Sequence, residues 1–102
     1  MTRRYQIAPA ASRDLNRILD YFLERSIDAG EKFVDEFERK CRNIVSFPNI
    51  GKSYGYLAPT LRGGLLNDYI VLYIVTDELV EVVRILHGRQ DLEAQFPESW
   101  QE

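Results

Sequence analysis

The stretch LRGGLLNDYIVLYIVTDELVEVVRILH, Leu61 to His87, decides the fold. Three runs rich in Val, Ile, Leu and Tyr are separated by two short polar breaks, Asn67-Asp68 and Thr76-Asp77-Glu78. β-branched and aromatic residues favour extended backbone, and Asn and Asp favour tight turns, so the runs read as strands over Leu61–Leu66, Tyr69–Val75 and Leu79–His87 in an antiparallel meander. The middle run is apolar at every position and is expected to be central, with both faces covered. In the last run, alternation places Glu81, Val83, Ile85 and His87 on one face and Arg84 on the other.

Upstream the period changes. Tyr5-Gln6-Ile7-Ala8 alternates and stops at Pro9, giving a short first strand. Ala11, Leu15, Ile18, Leu19 and Phe22 then recur at steps of three and four, the pattern of an amphipathic helix, with Arg13, Asp14, Arg17 and Asp20 on its other faces. Phe33, Phe37, Cys41 and Ile44 mark a second helix that ends near Phe47 before Pro48. Asp28 and Glu31 have capping-box spacing at its start. The short link around Ser26 and Ile27 makes the two helices an antiparallel hairpin. Asn49 to Pro59, rich in Gly, Pro, Ser and Tyr, reads as a loop. The expected class is therefore α+β: an N-terminal strand, a helix hairpin and a three-stranded meander, in one domain over residues 1–102 with a tail from about residue 93 free to move.

Length and composition narrow the function classes. At 102 residues with 45% hydrophobic content the chain can build one core. One cysteine precludes an intramolecular disulfide, and without a recognisable leader a cytoplasmic location is expected. The longest apolar run, Tyr69 to Val75, is far short of the roughly 20 residues that span a membrane. Net charge is −3. Residues 1–50 hold nine of the thirteen Lys/Arg and eight of the sixteen Asp/Glu, a balance of +1, leaving −4 for the sheet half. Such a chain is poorly suited to a broad phosphate-binding surface, so no sequence-specific nucleic-acid binding is expected.

One His and one Cys provide no transition-metal cluster, and the glycines match no phosphate loop, so no metal or cofactor is expected. Cys41 lies on an apolar stripe and reads as core. Arg39-Lys40-Cys41-Arg42 spreads around a helix next to Glu36 and Glu38 and reads as a solvated face. His87-Gly88-Arg89-Gln90-Asp91 differs in position: Gly88 frees the strand end to turn, and Arg84, His87 and Arg89 concentrate positive potential in an otherwise acidic half, the alternative being a His satisfied by the backbone and an Arg paired with Asp91 or Glu93.

Phe47-Pro48-Asn49-Ile50-Gly51, Leu61-Arg62, Asp68-Tyr69-Ile70-Val71-Leu72-Tyr73 and Val83-Arg84-Ile85-Leu86-His87-Gly88-Arg89-Gln90-Asp91-Leu92, in that order after a helix hairpin, resemble the ParE/RelE superfamily of type II toxin–antitoxin toxins. The likeness runs from about Tyr5 to Phe96. It implies an antitoxin partner and one of two activities: ribosome-dependent mRNA cleavage in RelE-like members, or binding and inhibition of DNA gyrase in ParE-like members. Where the nuclease pattern has two arginines and a tyrosine, this sequence has Ile70, Gln90 and Phe96, none able to carry charge or a phenolic hydroxyl. The resemblance thus favours a non-enzymatic, ParE-like toxin with no catalytic residues. Arg84, His87, Arg89, Phe96 and Trp100 are its expected partner contacts, and self-association into a homodimer stays open. The alternatives are a nuclease using Arg62, Arg84, His87 and Arg89, or a degenerate toxin that only binds antitoxin.

Overall fold

The structure is a computed structural model, and it describes residues 4–96. The element order is β1 (Arg4–Ile7), α1 (Pro9–Arg25), α2 (Ile27–Ser46), β2 (Lys52–Ser53), β3 (Arg62–Leu66), β4 (Tyr69–Val75), β5 (Leu79–His87) and α3 (Leu92–Gln95). The five strands form one sheet in the order β1-β5-β4-β3-β2. The expected meander is present, with β4 central as its two-sided apolar character requires. Three features go beyond the sequence reading, the first being the short helix α3 where a tail free to move was expected. The segment read as a loop contains the two-residue strand β2, paired antiparallel with β3 through Lys52↔Gly63 and Ser53↔Arg62. β1 is parallel to β5, from Arg4↔Leu79 to Ile7↔Val82, because the helix hairpin returns the chain to the same end of the sheet.

The helices cover one face. Ala11 and Ile18 of α1 and Phe33, Phe37, Cys41 and Ile44 of α2 pack on Val71, Tyr73, Val80, Val82 and Ile85. Burying each Phe contributes roughly 1.5–3 kcal/mol, so the stripe of α2 holds the hairpin to the sheet more firmly than helix propensity could. Burial pushes the Cys41 thiol up to about 12, and the sulfur acts as an apolar filler. α2 begins two residues earlier than the Asp28 spacing implied. Ser26 is extended and its Oγ accepts the Ala29 N–H at 3.0 Å, so the cap is Ser26 and Asp28 lies in the first turn.

The opposite face is covered by chain with little regular structure. Tyr54, Leu57, Ala58 and Leu61, from the segment leading into β3, and Phe96, after α3, pack on Ile70, Leu72, Val83 and Leu86. Gly63 permits this: a Cβ there would lie 2.6 Å from the Tyr54 ring and 2.8 Å from Ile70 Cγ2. Buried Tyr73 fastens the same region from the helix side. Its hydroxyl donates to the Pro48 carbonyl at 2.8 Å and accepts the Gly51 N–H at 3.1 Å.

The simple alternation along β5 does not hold. The register steps from Tyr73↔Val82 to Leu72↔Arg84, so Val83 is an extra residue. Ile85 consequently joins Val80 and Val82 on the helix face, whereas Val83 and Leu86 join the other core. Beyond Val82, β1 has already left the sheet, with the Ala8 N–H on the Val82 carbonyl as the last contact. The open β5 edge is closed by Asp14 of α1, placed on a polar helix face in the sequence reading but 2% exposed here. One carboxylate oxygen accepts the Ile85 N–H at 3.0 Å and Arg84 Nε at 2.7 Å. The other accepts Arg84 Nη2 at 3.1 Å and Arg17 Nη2 at 3.0 Å. Burial pushes the carboxyl pKa up, but the hydrogen bonds from Arg84 and Ile85, with the charge of Arg84 and the bond from Arg17, outweigh it and hold the group below its ordinary value.

Two expectations follow. Gly63→Ala overpacks the second core and should lower stability by about 1–3 kcal/mol in denaturant unfolding, with unchanged helix content. Asp14→Ala strands the Arg84 charge and the Ile85 amide and should cost about 3 kcal/mol at neutral pH. Because the folded-state pKa is depressed, this contribution is complete above the ordinary carboxylate value and disappears as pH falls through the folded value. The gap between wild type and Asp14→Ala should therefore narrow below about pH 4 in unfolding titrations.

Candidate protein-contact surface

The bulge and the Asp14 cap fix what lies at the C-terminal end of β5. His87 closes the strand opposite Tyr69, and the Gly88 N–H donates to the Asp68 carbonyl at 2.8 Å, which ties the corner to the β3–β4 turn. That turn holds Asn67 at φ 54°, a left-handed conformation Asn tolerates better than most residues. The corner is self-bonded. His87 N–H donates to Gln90 Oε1 at 2.8 Å, the Gln90 N–H returns to the His87 carbonyl at 3.0 Å, and Arg89 N–H donates to His87 Nδ1 at 3.1 Å. With Nδ1 an acceptor, the neutral imidazole carries its proton on Nε2.

The five expected contact residues have different placements. Arg84 and His87 line one groove of about 460 Å³ together with Arg17, Tyr21, Tyr69 and Gln90. Within it Arg84 is committed to Asp14, with a further long bond of 3.5 Å to Gln95 Oε1. Arg89 is exposed on the turn, outside the residues lining that groove. Phe96 is 3% exposed on the opposite sheet face, inside the second core. Trp100 lies outside the described residues.

Sequence reasoning missed the aromatic side of the site. Tyr21 and Phe22 meet edge to face at 5.4 Å, Phe22 stacks on Phe33 at 5.1 Å, Phe33 meets Tyr69 at 6.1 Å, and Tyr69 meets His87 at 5.3 Å. The rings thus run without a break from α1 through the core to the strand end. Burial, then the neighbouring Tyr21 and Asp68, raise the Tyr69 pKa, so it stays a neutral phenol. Arg25 lies over the Tyr21 ring at 4.6 Å and donates to its hydroxyl. The i, i+4 spacing of Tyr21 and Arg25 on α1 was the available signal.

The three nuclease positions carry no charged or hydroxyl side chain. Ile70 is buried under Tyr54 and Phe96, Gln90 is spent on the His87 backbone, and Phe96 is packed inside. Among the described residues no three His, Cys, Asp or Glu side chains converge as metal ligands, and no helix is long and apolar enough to cross a membrane. The arrangement is a surface of rings and guanidinium groups, side-chain types that protein contacts favour.

Comparison with known proteins agrees with this geometry. A chain from a solved structure of the chromosomal ParDE TA system from P. aeruginosa superposes with a TM-score of 0.70 at 17% identity, covering 84% of this chain and 96% of that one, which establishes the fold. Toxin ParE1 of Mycobacterium tuberculosis is 30% identical over 95 residues, 91% of this chain and 97% of that protein. Toxin ParE3 of Caulobacter vibrioides is 31% identical over 86 residues, 83% and 86% of the two chains. The family model described as the ParE toxin of type II toxin-antitoxin system, parDE, matches residues 5–92, and the chain belongs to that family.

Proposed function

We propose that this toxin acts in the cytoplasm by binding and inhibiting DNA gyrase without chemistry of its own, and that a cognate antitoxin neutralises it. The observation that carries the reading is the packing of Tyr54, Leu57 and Phe96 over Ile70, Leu72 and Leu86. A nuclease cleft on that sheet face would need open space lined by cationic and phenolic groups. Here the space is filled by apolar side chains, which supports action through contact rather than catalysis. The charge balance supports it too, because a sheet half of −4 opposes docking on ribosomal RNA. Antitoxin neutralisation is inferred from membership of the type II family.

Among the contact residues expected from the sequence, Arg89 and Trp100 are assigned here to the target, and Arg84 to the scaffold. Purified toxin freed of its antitoxin should inhibit gyrase supercoiling of relaxed plasmid and leave mRNA intact after induction in cells. Normal supercoiling at large molar excess of folded protein would refute the reading. Arg89→Ala should weaken inhibition roughly tenfold at unchanged thermal stability, whereas Arg84→Ala should lower the unfolding midpoint.

A further inference from the structure

His87 is the only histidine in the chain, and it ends β5 at the corner whose bonds it organises. Its backbone is clasped to Gln90 in both directions, and the Gly88 N–H holds the turn to the Asp68 carbonyl. None of these bonds depends on a titrating group. The Arg89 N–H bond does, because its acceptor at 3.1 Å is the Nδ1 lone pair of the ring. That lone pair exists only in the neutral imidazole; in the imidazolium both nitrogens are donors. Histidine is the side chain that ordinarily passes between these two states from pH 5 to 8.

The surroundings offer the protonated ring little in exchange. The half-buried imidazole meets the Tyr69 ring edge to face, and Tyr69 of β4 stays a neutral phenol. The ring also borders two grooves. The first brings Arg17 and Tyr21 of α1, Arg84 of β5, Gln90 and Gln95, with no carboxylate among its lining residues. Asp14 beneath it is already engaged by Arg84 and Arg17. The second, of about 510 Å³, brings Tyr21 and Arg25 of α1 and Asp68 of the β3–β4 turn. Arg89 and Asp91 are the charged residues of the segment that follows the strand. An imidazolium thus loses the Arg89 amide, meets the three groove arginines, and finds in Asp68 the one carboxylate lining either groove. We propose that His87 is a positioning residue: its neutral ring fixes the Arg89 backbone, and with it the direction in which that side chain leaves the surface, and protonation releases both. That Arg89 meets the target rests on the function proposed above, whereas the latch itself belongs to the free toxin. The bond is present above the titration of the ring and lost as pH falls through it. The net worth of a typical hydrogen bond corresponds to a change of roughly fivefold in the closing equilibrium of the turn.

The test follows the full chain, isotopically labelled and freed of antitoxin, by NMR from about pH 8 to about pH 5. At high pH the ring proton should sit on Nε2. On acidification the protection of the Arg89 amide, measured against its intrinsic exchange rate, should fall roughly fivefold with the midpoint of the ring. His87→Asn supplies an oxygen that accepts the N–H two residues on and does not titrate, so it should keep Arg89 protected throughout. His87→Phe keeps a ring against Tyr69 without an acceptor and should leave Arg89 unprotected at every pH. A ring proton on Nδ1 at high pH, Arg89 protection indifferent to the titration of His87, the same step in His87→Asn, or wild-type protection in His87→Phe would overturn the proposal. Amide spectra check the fold of both variants, and the wild-type titration decides the matter if either fails to fold. Supercoiling does not enter the readout, so failure of the latch and failure of the gyrase reading are separate results.

Discussion

One buried carboxylate holds the architecture together. Asp14 reaches from α1 to the point where β1 has left the sheet and β5 continues alone, and it accepts the Ile85 amide that a longer β1 would have taken. In the same position it neutralises Arg84 and draws in Arg17. An unpaired charge or amide at this depth would cost several kcal/mol, so the helix, the strand edge and the arginine can only be satisfied together. The angle of α1 on the sheet, and with it the placement of Tyr21 and Arg25, depends on this contact.

The sheet has two separate hydrophobic layers, and their difference bears on function. The helix layer is regular and would serve a scaffold of any activity. The second layer is built from the Tyr54–Leu61 segment and Phe96, and it covers the sheet face opposite the helices.

The helices and the three long strands were legible in the sequence because each carries an uninterrupted period, and Tyr69–Val75 and Leu79–His87 have the expected limits. What was illegible depended on distant partners. The parallel pairing of β1 has no local signature, and β2 is two residues long inside a turn-rich segment. Asp14 looked like a solvated helix residue because its partners lie about 70 positions away. The bulge at Val83 reversed the phase of β5 and invalidated simple alternation beyond it. Among the candidate site residues, His87 ends β5 and Arg89 lies exposed on the turn that follows. Arg84 was identified as important without its role, since a charged strand residue gives no sign of whether it meets a carboxylate or a partner protein.

The dependence on Asp14 can be measured at a single atom. Hydrogen exchange of the Ile85 amide in the folded toxin should be slow and limited by global unfolding, because its proton is held by a buried carboxylate. In Asp14→Ala the same amide should exchange orders of magnitude faster while those of Val71 and Tyr73 in β4 stay protected. Fast exchange at Ile85 in the wild-type protein, at the rate of an open strand edge, would contradict the account.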